Sequence, residues 1–409
     1  MIQRKSQMWV MWALASLFYA YQYVLRVLPN IMMEDILTTF QIDAAIFGQY
    51  VGIYYIGYVL AHIPIGLLLD RVGPRIILPL CVLLTTAGLL PLIYADSWIM
   101  PTVGRILIGI GSSGAILGVF KVIRMSFVEG KFTRMLGLSV TIGLVGAIYG
   151  GGPVLCLLKI FGWRTVLQMI CTAGLLLAFL MYVFVAPYSK KQTAQVKITQ
   201  QIKEVFSNKM VWLVCILAGC MLGPMEGFAD AWGSQFLVVV QKVQPEAAAS
   251  LSSLIFLGMC FGGPFLSYVA DRYKCYYGVI ITSSLVMATG FFWLFFGSLT
   301  VGALSVLFWV IGIFCAYQIP AIYKASSYVS AQNVGITTAG ANMIIMAFGY
   351  IFHSAIGGFM DAFWTGGLHD GVRVYEAKTY IQGLLIVPFG LLVGGIGFLF
   401  LRRRKVGPR

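Results

Sequence analysis

Apolar stretches of roughly 18 residues or more recur along the whole chain, parted by short polar breaks. They lack the alternation of apolar and polar residues that a strand of a barrel needs. Each is long enough to cross a hydrocarbon layer of about 30 Å as a helix. Without water, every backbone N–H and C=O must bond within the structure, so these runs dictate helices. Reading runs against breaks predicts twelve spans, at roughly 8–31, 46–69, 76–95, 99–122, 135–158, 163–186, 210–238, 249–270, 276–296, 301–323, 335–360 and 380–401. The first run follows Arg4 and Lys5, lacks a small-residue cleavage site and continues past Arg26. It reads as a span and not as a removable signal.

The longest polar break, 187–209, lies between the sixth and seventh runs and holds Lys190, Lys191, Lys197, Lys203 and Lys209. The expected organisation is therefore a six-helix bundle over 1–186, a charged cytoplasmic linker over 187–209, and a second six-helix bundle over 210–409. Repetition supports this division. Asp70-Arg71 follows the second run and Asp271-Arg272 follows the eighth, the same place in each half. The fold class is an all-α membrane protein of twelve transmembrane helices in two pseudo-symmetric bundles.

Composition sharpens the class. Hydrophobic residues make up 60% of the 409 and charged residues 10%, against about 25% charged in a soluble protein. The net charge of +14 would suggest nucleic acid in a soluble chain. Here the basic residues sort by side. With the N-terminus in the cytoplasm, 21 fall on the cytoplasmic side and five opposite. Both termini are expected in the cytoplasm, and no nucleic-acid partner is expected. The eight cysteines sit mostly inside apolar runs and form no C-x-x-C pair. That gives no sign of a disulfide framework or metal site. No N-x-S/T sequon occurs, so nothing marks a glycosylated surface. The expected location is a bacterial cell inner membrane.

Gly66, Asp70, Arg71, Gly73 and Arg75 lie between the second and third runs. In this place they resemble the loop signature of the major facilitator superfamily (MFS). Arg105, Gly109 and Gly111 resemble that family's fourth-helix pattern, and Gly162-Trp163-Arg164 resembles the start of its sixth helix. The resemblance covers nearly the full length. It implies a secondary transporter working by alternating access, with no cofactor, no catalytic residues and no metal. It also implies a latch in which Asp70 meets the start of the eleventh helix and Arg124. An aspartate at a helix end would favour a neighbouring positive helix N-terminus. The alternative is a loop whose basic residues merely stay inside. Asp271 and Arg272 form a degenerate second copy. Gly143, Gly146, Gly150, Gly151, Gly152 and Pro153 resemble the family's antiporter signature with imperfect spacing. Close packing with a bend accounts for them equally.

Ionisable residues within spans are costly and mark function. Arg26 stands in Tyr19-Ala-Tyr21-Gln22-Tyr23-Val-Leu-Arg26. It reads either as an anchor for an anionic or aromatic group or as a cation snorkelling to the surface. The segment also resembles the first helix of organic-phosphate and organic-anion carriers. Glu226 and Asp230 in the seventh run are four apart, which places them on one helix face. A carboxylate is hard to keep charged there, so Glu226 is a candidate to bind and release a proton, or to take a substrate ammonium. The resemblance implies that Arg105 faces a cavity and orients the first helix or assists proton transfer; the alternative is structural pairing with a carbonyl or acid. His353 is a candidate relay or a packed histidine. Lys121, Arg124 and Lys324 form a candidate cytoplasmic rim. Gln22, Tyr54, Tyr55, Gln318 and Asn342 are uncharged candidates for cavity lining.

Together these residues suggest transport of a zwitterionic or anionic metabolite: a dipeptide, an amino acid or an organic acid. Protons are the candidate coupling ion. The pattern in spans one, four and seven resembles bacterial carriers related to the lysosomal dipeptide uniporter. An organic anion or organophosphate carrier is the alternative. A non-transporting sensor or scaffold is a different class, and it would need a longer loop to signal through than this sequence contains. No Walker A, G-x-S-x-G or H-E-x-x-H sequence occurs. The expected partners are a small-molecule substrate and membrane lipid, and the expected state is a monomer.

Overall fold

The computed structural model describes residues 5–187, 198–330, 333–369 and 371–403. Twelve helices among them are long and apolar enough to cross a membrane. Spans 1 to 6 are Ser6–Ile31, Ala44–Arg71, Pro74–Tyr94, Ile99–Ser126, Arg134–Phe161 and Trp163–Phe184. Spans 7 to 12 are Lys209–Val239, Pro245–Tyr273, Tyr276–Phe296, Val301–Ser326, Val334–Ala362 and Ala377–Arg403. Each predicted span overlaps one of these, with ends differing by a few residues. Of the predicted linker, 188–197 lies outside the described residues, while Ile198–Ser207 is a helix.

The chain divides into two compact units. Unit 1 comprises Met1–Phe40 and Ile53–Gln192, and unit 2 comprises Gln41–Gly52 and Thr193–Arg409. Inside unit 1, span 1 packs on span 5 and span 3 on span 6. Span 2 meets span 4, where Gly57 faces the carbonyl of Ile106 and Gly109 faces that of Tyr54. Unit 2 repeats the scheme. Span 7 packs on span 11, span 8 on span 10, and span 9 on span 12. Small residues make these approaches possible, because lipid supplies no hydrophobic drive between helices and contact area must. Gly219, Gly223 and Gly227 form a stripe at four-residue spacing on span 7. It receives Phe348, Phe352 and Ile356 of span 11.

Besides span 7, which passes through a π turn over Phe228–Trp232, four spans are interrupted. Spans 3, 5, 10 and 12 each resume in a segment beginning at Leu90, Gly152, Gln318 and Ile386. A proline lies in the first turn of each: Pro91, Pro153, Pro320 and Pro388. The first-turn N–H groups have no intrahelical partner, so proline loses nothing there. In span 5 the break falls at Gly150-Gly151. Gly143, Gly146 and Gly150 lie against Tyr19, Ala20 and Val24 of span 1. The glycine-rich stretch therefore does both things expected of it as packing with a bend.

Candidate functional site

Unit 1 gathers cations and tyrosines inside its spans. Arg26 is only 4% exposed. Its guanidinium lies 5.2 Å from the Tyr23 ring centre and 5.5 Å from that of Tyr55. Tyr19 meets Tyr23 edge-on at 5.2 Å. Beside them the Tyr54 hydroxyl donates to Gln22 Oε1 at 2.9 Å, and Tyr54 meets Tyr55 edge-on. Arg26, Tyr23, Gln22, Tyr54 and Tyr55 are thus brought together within one unit. The guanidinium is engaged by the Tyr23 and Tyr55 rings, and a planar guanidinium is the group that recognises carboxylate and phosphate.

Arg105 of span 4 has a definite structural task. Its Nη1 donates to the carbonyl of Leu25 at 2.8 Å, and its Nη2 to that of Arg26 at 3.0 Å. Pro29 lies four residues after Leu25 in the same helix. Proline has no N–H, so the Leu25 carbonyl loses its normal helical donor. Arg105 supplies one and fixes span 1 where Arg26 projects. Its guanidinium also lies 5.1 Å from the Tyr54 ring centre. These contacts fit both expected readings, orientation of the first helix and structural pairing with a carbonyl.

In unit 2, Glu226 is 7% exposed and Asp230 1%. The α-helix over Lys209–Gly227 passes into a π turn over Phe228–Trp232. A π turn bonds i→i+5 and so takes up an extra residue. The turn starts between the two acids and includes Asp230. Pro224 lies just before it. Trp232 packs edge-on against Phe47 at 5.4 Å. His353 is fully buried in span 11, where Nδ1 lies 2.7 Å from its own helix's Gly349 carbonyl. That bond assigns the proton to Nδ1 and leaves Nε2 the acceptor. Elsewhere in the unit Gln318 Nε2 donates to Asn342 Oδ1 at 3.3 Å.

The loop residues divide. Asp70 receives Lys121 Nζ at 2.7 Å, a partner the sequence reading had assigned to the rim. Arg124 instead stacks on Phe132 at 5.6 Å. Arg75 Nε donates to the Tyr182 carbonyl at 3.2 Å, and Arg71 is exposed. Gly73 has φ 97°, a conformation that excludes most side chains, and it precedes Pro74 at the start of span 3. Gly66 is different. A Cβ there would meet Leu117 at an ordinary 3.7 Å, so close approach does not require glycine at that position. In the second copy Asp271 accepts from the Tyr276 hydroxyl and Arg272 is exposed. Lys324 lies 5.3 Å and 5.4 Å from the Tyr277 and Tyr328 ring centres.

Sequence reading missed several residues. Pro29 was readable as the cause of an orphaned carbonyl. A cluster at the start of span 2, inside unit 2, was not. There Asp361 Oδ2 accepts the Ala45 N–H at 2.9 Å, and the Tyr375 hydroxyl accepts the Ala44 N–H at 2.9 Å. Tyr375 in turn donates to Asp361 Oδ1 at 2.5 Å, and Arg373 joins Asp361 at 3.1 Å and Asp43 at 3.7 Å. Span 2 is therefore capped by groups more than 300 residues away in sequence. His62 was also overlooked. It is 3% exposed, beside Tyr58 at 5.2 Å between ring centres. Among the described residues no group of three or more His, Cys, Asp or Glu is placed to hold a metal ion.

A family model described as Major Facilitator Superfamily matches residues 11–352. The chain is 23% identical, over 429 aligned positions, to YybO, an uncharacterized transporter of Bacillus subtilis (strain 168). The match covers 96% of this chain and 93% of that protein. Its fold is similar to that of a bacterial homolog of the human lysosomal transporter Spinster, solved inward-facing and unoccupied. There the TM-score is 0.80, the identity 17%, and 99% of each chain is covered. The nucleoside transporter NupG is similar at TM-score 0.77 and 15% identity, with 98% of this chain and 100% of that chain covered.

Proposed function

The chain belongs to the major facilitator superfamily of membrane transporters, and on that premise we propose that it carries a small zwitterionic or anionic metabolite, driven by protons. The substrate class is a short peptide, an amino acid or an organic acid. Arg26 binds the carboxylate, with Tyr23, Tyr55 and Gln22 shaping the site and Arg105 holding span 1 in register. Glu226 takes up and releases the proton, with Asp230 and His353 as partners in unit 2. Transport proceeds by alternating access. The protein works as a monomer in a bacterial inner membrane with both termini cytoplasmic, and the Asp70–Lys121 pair belongs to the cytoplasmic latch.

One observation carries this reading: an arginine almost wholly removed from solvent inside a span, held between two tyrosine rings. Charges at such depth are retained where they handle substrate or ions. A thermal-shift screen of the purified protein against peptides, amino acids, organic acids and sugar phosphates tests it, since a ligand stabilises the folded state by mass action. Hits among carboxylates that vanish in Arg26→Ala support the reading. Hits that persist in Arg26→Ala overturn it. A second reading, an organophosphate carrier, rests on the same guanidinium and predicts hits among sugar phosphates.

A further inference from the structure

Span 2 carries more polar surface through unit 1 than a helix in lipid tolerates without cause. Tyr54, Tyr55, Tyr58 and His62 follow one another within nine residues, all buried. At 3.6 residues per turn, Tyr55, Tyr58 and His62 fall within an arc of about 60°. Ring contacts run from Tyr55 through Tyr54 and Tyr58 to His62. Tyr54 stacks near Tyr58 at 6.2 Å and 30°, and Tyr58 lies beside His62 at 5.2 Å and 31°. The upper end of this face is the Arg26 site, through the Tyr55 ring. The lower end is His62, seven residues further on, which is about 10 Å along the helix axis.

His62 is the odd member. It is 97% buried in an apolar stretch, and its Nδ1 has no hydrogen-bond partner. A buried polar atom left unpaired costs about 1–3 kcal/mol, and such atoms in native proteins have a reason to exist. Packing alone would be better served by phenylalanine, which stacks on Tyr58 equally well and carries no polar nitrogen. What imidazole adds is a hydrogen-bonding nitrogen at the far end of an aromatic face whose near end is a cation.

From this placement we infer that His62 is a second substrate anchor. Its ligand is a short linear peptide whose carboxylate sits at Arg26 and whose other polar end reaches His62, its backbone lying along Tyr55 and Tyr58. An extended chain advances about 3.3–3.6 Å per residue, so the rise of about 10 Å from the level of Tyr55 to that of His62 takes a length near three residues. Ring edges line its path, because Tyr54 and His62 lie against the Tyr58 ring, and a peptide's amine or amide satisfies the histidine nitrogen. The inference rests on Arg26 being the carboxylate site and adds to it a length rule and a residue.

Glycine oligomers test the rule because they share both ends and differ only in span. Purified full-length protein is titrated with glycine, diglycine, triglycine and tetraglycine, and affinity is read from the shift in melting temperature against each variant's own ligand-free value. Wild type is expected to bind triglycine at least about tenfold more tightly than diglycine, and tetraglycine more weakly than triglycine. His62→Ala is expected to bind triglycine no better than diglycine, with diglycine affinity unchanged. His62→Gln, which keeps a hydrogen-bonding end, retains part of the preference and serves if the alanine variant does not fold. A length optimum that survives in both variants overturns the anchor. So does a loss that falls equally on all four probes, which would mark His62 as packing alone. Failure of wild type to bind any oligomer overturns the peptide assignment. Carboxylate hits lost in Arg26→Ala would, in that case, leave the Arg26 site standing.

Discussion

Arg105 donates to the carbonyl of Leu25, the acceptor in span 1 that Pro29 cannot serve. The arginine and the proline are therefore one device, built from two helices of unit 1. The proline frees a backbone oxygen beside Arg26, and the arginine binds it.

Removing only the arginine should be costly. Arg105→Ala leaves a buried carbonyl unpaired, a loss of about 1–3 kcal/mol. Pro29→Ala restores the helical donor, so in the double variant the arginine's absence should cost less. A double-mutant cycle on thermal stability measures the coupling. Strictly additive effects would show that the two residues act separately.

The cap on span 2 makes a second expectation. Tyr375→Phe loses bonds to the Ala44 N–H and to Asp361. Asp361→Ala loses the Ala45 cap and the Arg373 pair as well. Cap deletions cost about 0.5–2 kcal/mol, and the aspartate variant should lie above the tyrosine variant. Melting curves of the two, compared with wild type, decide. Equal and negligible losses would mean the cap contributes nothing.

Gly223 and Gly358 should respond oppositely to alanine. A Cβ on Gly223 would stand 2.7 Å from the Phe348 carbonyl oxygen and 2.6 Å from the Phe352 ring. Overpacking of this kind costs about 1–3 kcal/mol. Gly358, on span 11, has nothing within 4 Å of the same point. Alanine there should be neutral or gain up to about 1 kcal/mol from helix propensity. Thermal denaturation of the two variants in detergent checks the contrast.

Asp35 links stability to pH. It lies in the short helix Met33–Phe40, outside the spans. Burial first, and then the neighbouring Glu34, hold its carboxyl above the usual range. The folded protein thus keeps a proton that the unfolded chain has already released. This group's contribution is complete below the ordinary carboxyl pKa of about 4 and is lost as pH rises through the folded value. Asp35→Asn should raise stability at neutral pH and flatten the curve between about pH 4 and 7. Melting temperatures across that range would refute this if the slope matched wild type.

How much of this was legible depends on what kind of order each feature carries. The spans were readable because lipid enforces a local composition, and every boundary needed only neighbouring residues. Arg26 and Glu226 stood out because a charge in an apolar run is conspicuous. His62 did not, since a lone imidazole between Ala61 and Ile63 carries no formal charge. Nor could the sequence show that Asp361 meets Ala45, a pairing across 316 positions. The π turn that begins between Glu226 and Asp230 escaped the sequence for another reason. Four-residue spacing is a statement about an α-helix, and the backbone between them leaves that ladder.

That departure has an arithmetic of its own. A π turn is an α-helix that has accommodated one additional amino acid without disturbing what lies on either side. Loss of a single codon between Phe228 and Trp232 would therefore restore an uninterrupted ladder. The outer segment Gly233–Val239 would keep its bearing, while Asp230, in the middle of the turn, would shift its azimuth by about half an α-helical step. The position of this carboxylate is thus the most easily rewritten part of the seventh helix, open to change by the smallest in-frame event a gene can undergo.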